Sequence, residues 1–122
     1  MGPPRIPAVD VLEAERRLAD PADASPLLVD VREPAEFVQV RAEGAVLVPL
    51  STWMQRYREL PTGRPLLMIC RTGARSGQAT AFLLANGWTD VVNVTGGTEA
   101  WERAGLPVRR GAPTPGEGNL PG

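Results

Sequence analysis

Leu66-Leu67-Met68-Ile69-Cys70-Arg71-Thr72-Gly73-Ala74-Arg75-Ser76 is the stretch on which the reading of this chain turns. Its first four residues form a short, uninterrupted apolar run, the pattern of a strand buried on both faces. The run goes straight into a cysteine and a small polar loop around Gly73. From Ser76 to Ala85 the pattern becomes helical, with Ala79, Phe82, Leu83 and Leu84 apolar, and Asn86-Gly87 supplies a stop. Strand, tight loop and helix in that order are the front half of a βα unit, which implies a parallel sheet.

The flanks repeat the alternation. Upstream, Leu27-Leu28-Val29-Asp30-Val31 is a second buried strand, and Ala45 to Val48 a third, ended by Pro49. Downstream, Val91-Val92-Asn93-Val94 is a strand, and Gly96-Gly97 turns the chain into a last helix through Trp101 that ends at Gly105. Asp10 and Glu13 have capping-box spacing for a helix with Val11, Leu12, Glu15 and Leu18, and Pro34 suits the first position of a brief turn over 35–37. Ser51 is placed to cap a helix to about Leu60, with Trp53, Met54 and Tyr57 on its apolar side. Pro21 to Pro26 reads as a loop. The expected fold is α/β, with a mainly parallel sheet flanked by helices. Residues 1–8 read as an extended lead-in, 9–108 as one domain, and 109–122 as a Pro/Gly-rich flexible tail, so that removing residues 110–122 is expected to leave activity nearly unchanged.

Composition narrows the function classes. A chain of 122 residues suffices for one domain. Its formal net charge of -1 lacks the basic excess of a nucleic-acid binder. No apolar run is long enough to span a membrane, and the N-terminus has no secretory h-region, so a cytoplasmic location is expected. One cysteine and no histidine exclude an internal disulfide, a Cys/His zinc site within the chain and Cys–His protease chemistry. Neither a metal nor a cofactor is expected. All 13 basic residues are arginine, the side chain suited to bidentate contacts with oxyanions.

Cys70 is the candidate reactive group. It stands at the C-terminal end of a buried strand, where open α/β sheets bind their ligands. A tight loop with Gly73 can aim successive backbone N–H groups inward as an anion-binding nest. The following helix adds its N-terminal N–H groups, and Arg71 and Arg75 add full charges. Such sites pull a cysteine from its usual pKa of about 8.5 to roughly 3.5–7.5, which makes a thiolate without a histidine base. A packing role alone explains the cysteine but not the two arginines beside it.

The chain also resembles the rhodanese family over about residues 9–108, through three motifs in the family's order. Cys70-Arg71-Thr72-Gly73-Ala74-Arg75 resembles its Cys-Arg-x-Gly-x-Arg active loop. Leu28-Val29-Asp30-Val31-Arg32-Glu33, with Glu36-Phe37, resembles its Asp-Val-Arg-Glu signature. Gly96-Gly97-Thr98-Glu99-Ala100-Trp101, followed by Ala104-Gly105-Leu106-Pro107-Val108, is similar to its closing segment. One segment departs from the pattern. Where relatives carry Gly-His-Ile-Pro-Gly-Ala, this chain reads Val40-Arg41-Ala42-Glu43-Gly44-Ala45. The replaced histidine belongs to a scaffold loop of the family and not to its chemistry.

The resemblance implies a single-domain sulfurtransferase with a five-stranded, mainly parallel sheet. Cys70 would take the outer sulfur of a donor such as thiosulfate and pass it, as a persulfide, to cyanide, a thiol or an acceptor protein. In that reading the backbone of residues 71–75 cradles the persulfide, and Arg71 and Arg75 dock the donor's sulfonate by charge-assisted hydrogen bonds. Thr72 adds its hydroxyl, and Gly73 and Ala74 complete the loop. Asp30 and Arg32 read as a buried pair bracing that loop, Gly96-Gly97 as a backbone turn, and Trp101 as core. Two other readings stay open. One is a sulfur-relay module acting with a protein partner. The other is a cysteine phosphatase or arsenate reductase, whose loops place five residues between cysteine and arginine where this chain has the four of Arg71 to Ala74.

Overall fold

Strand β2 (Leu27–Asp30) lies at the centre because its residues are apolar on both faces and need cover on both sides. The computed structural model describes residues 6–20 and 25–121, so most of the loop expected over 21–26 lies outside the described residues. β2 pairs in parallel with β5 (Leu66–Ile69) on one side and with β4 (Val46–Leu47) on the other. β6 (Val91–Val94) and then β1 (Ala8–Val9) extend the sheet beyond β5, giving the order β1-β6-β5-β2-β4 with every pairing parallel.

Alternation along the strands divides the core in two. Leu27, Val29, Leu66, Met68 and Cys70 face one layer, which holds Leu83 of α4 (Ala74–Ala85) and the aromatic group Trp53, Tyr57 and Trp88. Phe82 stands edge-on to Tyr57 at a centroid distance of 4.8 Å. Leu28, Leu67, Ile69 and Val94 face the other layer. That layer holds Val11 and Ala14 of α1 (Val11–Ala19), Phe37 of α2 (Pro34–Gln39) and Trp101 of α5 (Gly97–Arg103). Fully burying each such aliphatic side chain contributes roughly 1.5–3 kcal/mol, so this division carries most of the stability.

The structure corrects three local expectations. Ser51 does not cap a continuous helix: 3-10 turns at Leu50–Thr52 and Tyr57–Glu59 flank a single α-turn, α3 (Trp53–Arg56). The Ser51 N–H instead donates to Glu33 Oε2 at 3.2 Å. Met54 and Leu12, assigned to apolar faces, are 63% and 61% exposed. On α1 the buried side belongs to Val11 and Ala14, three apart, and Leu12 points to solvent.

The largest difference lies at the C-terminal end, where the sequence suggested a loose tail. Residues beyond Gly105 run back over the domain. β7 (Val108–Arg109) pairs antiparallel with β3 (Arg41–Ala42), the segment that departs from the family pattern. Arg41 is only 2% exposed, and its guanidinium donates to Glu117 at 2.5 and 3.1 Å and to the carbonyls of Phe37 and Gly111. Leu47 N–H donates to the Gly118 carbonyl at 2.7 Å, and Leu120 packs against the core. A Pro/Gly-rich stretch lacks helical or strand patterning. It is held here by a buried charge and by backbone hydrogen bonds, which such patterning does not report.

Candidate active site

Ile69 ends β5, and Cys70 follows with its side chain turned into the core, 1% exposed. The chain then makes a short loop through Arg71 and Thr72 to Gly73, whose φ of +108° favours glycine and sets the start of α4. This puts the Gly73 N–H 3.1 Å from Cys70 Sγ. The Ser76 hydroxyl, in the first turn of α4, lies 3.2 Å from the same sulfur. Burial pushes the Cys70 thiol up. Hydrogen bonds from the Ser76 hydroxyl and from the backbone N–H groups of Ser76, Gly73 and Thr72 pull it down by more, so its pKa falls below the ordinary value. Of the expected loop N–H groups, that of Gly73 lies at hydrogen-bond distance from the sulfur, beside the Ser76 hydroxyl.

The two arginines are placed differently from each other. Arg75 spans to α2, where its two Nη atoms donate to the Glu36 carboxylate at 2.7 and 2.8 Å. Arg71 is 67% exposed and donates through Nε to Glu99 Oε1 at 2.9 Å. The family resemblance implies donor docking for both. Both are ion-paired, Arg71 to α5 at the surface and Arg75 to α2, which ties the loop to that helix. A groove of about 340 Å³ beside Arg71 is lined also by Arg32, Glu36, Gln39, Glu99 and Glu102.

Asp30 and Arg32 are a buried pair, 2.8 Å apart at the C-terminal end of β2. The Arg32 guanidinium also donates to the carbonyls of Val40, at 2.7 Å, and Glu36, at 3.4 Å. The pair thus braces α2, and it reaches the cysteine loop only indirectly, through Glu36 and Arg75. Gly96-Gly97 does form a turn, and it lies directly under the loop. Thr98 N–H and Oγ1 donate to the Cys70 carbonyl at 2.8 and 3.0 Å, and Glu99 N–H donates to the Arg71 carbonyl at 3.1 Å. Trp101 is core, its indole N–H donating to the Pro107 carbonyl.

Ser76 and Asn93 escaped the sequence reading as members of the site. Ser76 donates toward Asn93 Oδ1 at 2.6 Å, and Asn93 Nδ2 donates to the Gly73 carbonyl at 3.0 Å. A signal for Asn93 was present, since a lone amide in the buried run Val91-Val92-Asn93-Val94 needs a polar partner.

Acid should unfold the protein through a defined set of carboxylates. Arg75 holds Glu36 down at about 2, Arg41 holds Glu117 down at about 2, and Arg16 holds Glu13 down at about 2, from an ordinary 4.5. A carboxylate with a depressed folded pKa stabilises fully above its unfolded value and loses that contribution as pH falls through the folded one. The urea midpoint should stay level down to about pH 5 and drop steadily between about pH 4.5 and 2. A level midpoint through that window would show these pairs to be energetically silent.

Comparison with known proteins identifies the family and the fold. The model of the rhodanese-like domain matches residues 10–104. A protein named sulfurtransferase from Allochromatium vinosum is 42% identical over 100 residues, covering 82% of this chain and 92% of its own. The thiosulfate sulfurtransferase GlpE of Vibrio cholerae is 35% identical, covering 66% of this chain and 76% of its own. The crystal structure of a rhodanese-related protein from Thermoplasma volcanium superposes with a TM-score of 0.75 at 26% identity, over 84% of this chain and 97% of that one. On sequence, fold and the build of its cysteine loop, the chain belongs to the rhodanese-like domain family.

Proposed function

We propose that this protein is a sulfurtransferase that carries sulfane sulfur as a persulfide on Cys70. The observation that bears most weight is the buried Cys70 Sγ, ringed by N–H and O–H donors that favour its thiolate. The sulfurtransferase names of relatives at 42% and 35% identity support the same reading. The thiolate attacks the outer sulfur of a donor such as thiosulfate. An S–S bond forms to Cys70, and sulfite leaves with the electron pair of the broken bond. Backbone N–H groups of the loop hold the terminal sulfur anion, and Arg71 turns from Glu99 toward the departing sulfonate.

In the second half-reaction a thiolate or cyanide attacks the terminal sulfur, and Cys70 Sγ leaves as thiolate. The chain has one cysteine, so no internal thiol can resolve the persulfide and the acceptor is external. That acceptor is a small thiol, cyanide or a partner protein, and we place the reaction in the cytoplasm. Arg75, bound on both Nη atoms to Glu36, keeps the loop in shape and leaves donor capture to Arg71.

The test is the intact mass of the protein after incubation with thiosulfate and without reductant, beside Cys70→Ser. The wild type should gain the mass of one sulfur atom, and the variant none. No gain with thiosulfate or with a small organic persulfide would remove the reading. Release of phosphate from a small aryl phosphate, lost in Cys70→Ser, would put a phosphatase in its place.

A further inference from the structure

Ser76 is fully buried, and its hydroxyl sits between two acceptors, Cys70 Sγ at 3.2 Å and Asn93 Oδ1 at 2.6 Å. A hydroxyl has one proton and serves one of them at a time. The Asn93 amide is held in place, because its Nδ2 must face the Gly73 carbonyl, which only accepts. Oδ1 is thereby aimed at Ser76. Two hydrogen-bond patterns follow from these fixed atoms. With Cys70 as a thiol, Ser76 donates to Asn93 and its oxygen receives the S–H. With Cys70 as a thiolate, the Ser76 proton turns to the sulfur and Asn93 gives it up.

We propose that Ser76 is a further catalytic residue, whose proton swings from Asn93 to Cys70 Sγ as that sulfur takes up negative charge, and that Asn93 is the positioning residue that holds the proton in between. The inference rests on the persulfide reading above and adds the step at which the swing matters. In the loaded state the negative charge is on the terminal sulfur, and Sγ carries none. When an acceptor thiolate attacks the terminal sulfur, the new S–S bond forms and the old one breaks. The electron pair goes to Sγ, which leaves as thiolate. No oxidant or further reactant is needed. The hydrogen bond from Ser76 therefore strengthens along the discharge step. In loading, the same bond is weakened as the thiolate attacks, so its loss costs population of the thiolate but returns some nucleophilicity.

The other charges near the sulfur are Arg71 on the loop, Arg75 on α4, Glu36 on α2, Glu99 on α5 and the Asp30–Arg32 pair after β2. None of them hydrogen-bonds to Ser76 or Asn93; Asn93→Leu also removes the bond to the Gly73 carbonyl, a loosening of the loop that the direction of the shift separates from loss of the competing acceptor.

The experiment measures the pH dependence of iodoacetamide alkylation of Cys70, then the rates of loading from thiosulfate and of discharge of preformed persulfide to a small thiol. Ser76→Ala should raise the alkylation midpoint by about one pH unit and slow discharge about tenfold, with a smaller effect on loading. Asn93→Leu removes the competing acceptor and should move the midpoint down. Opposite shifts are the signature, since simple loosening of the site would move both variants the same way. An unchanged midpoint in Ser76→Ala, or shifts of the same sign, would overturn the proposal. The alkylation readout needs no sulfur transfer. Failure of the wild type to load sulfur would thus sink the persulfide reading, while an unchanged midpoint with normal loading would sink only the swing.

Discussion

Gly97→Ala should nearly abolish sulfur loading and destabilise the fold at the same time. Gly97 has φ +58°, and a Cβ built on it would lie 2.5 Å from the Arg71 carbonyl oxygen and closer still to that of Cys70. Both obstacles are backbone of the cysteine loop, and neither can swing aside like a side chain. Thr98 and Glu99, the next residues, hold those same two carbonyls by hydrogen bonds. A methyl group must therefore push the loop off α5 and shift Cys70 relative to Gly73 and Ser76. Left-handed backbone and overpacking together cost about 3 kcal/mol, and an ångström of displacement at a reacting atom costs about a hundredfold in rate. The urea midpoint and the rate of sulfur loading measure the two effects. A variant with wild-type loading would show that the loop is not held by this contact.

Glu117→Ala should destabilise the protein by about 3 kcal/mol, far more than a change near a chain end usually does. The variant leaves the Arg41 guanidinium buried among Phe37, Gly111 and the sheet edge without its carboxylate. Removing one partner of a buried pair is costly because the other charge stays out of water. Arg41→Leu in the Glu117→Ala background should restore much of the loss, since the uncompensated charge is then gone. Deleting residues 110–122 should resemble Glu117→Ala, contrary to the passive role their composition suggests. Equal stability of wild type and Glu117→Ala in urea would show the contact to be weak in solution.

Much of the fold was legible because it depends on local pattern. Leu27–Asp30, Leu66–Ile69 and Val91–Val94 appear as strands where their apolar runs stand, since burial on both faces demands unbroken apolar sequence. α4 was also read correctly, though it begins at Ala74, two residues before Ser76, because Gly73 can cap it in a left-handed turn. The segment over 50–60 was read less well. There, packing of Trp53, Tyr57 and Leu60 into the aromatic layer overrides any preference for one continuous helix.

The site divides in the same way. Cys70, Gly73 and the arginines were visible because they are neighbours along the chain, and their types alone describe an electropositive loop. Which carboxylate meets which arginine was not visible. Arg75 and Glu36 are 39 residues apart, and Arg41 and Glu117 are 76 apart.

By itself, the sequence determined the α/β architecture, the strand-end cysteine and the anion-favouring loop, because periodicity and residue type are local properties. The tertiary structure decided the rest. It assigned Arg75 to Glu36, set the Ser76 hydroxyl between Cys70 and Asn93, and turned the expected tail into a strap over Arg41. Ion pairs and single hydrogen bonds depend on angstrom-scale distances between segments remote in sequence, and only the packed sheet and helices set those distances.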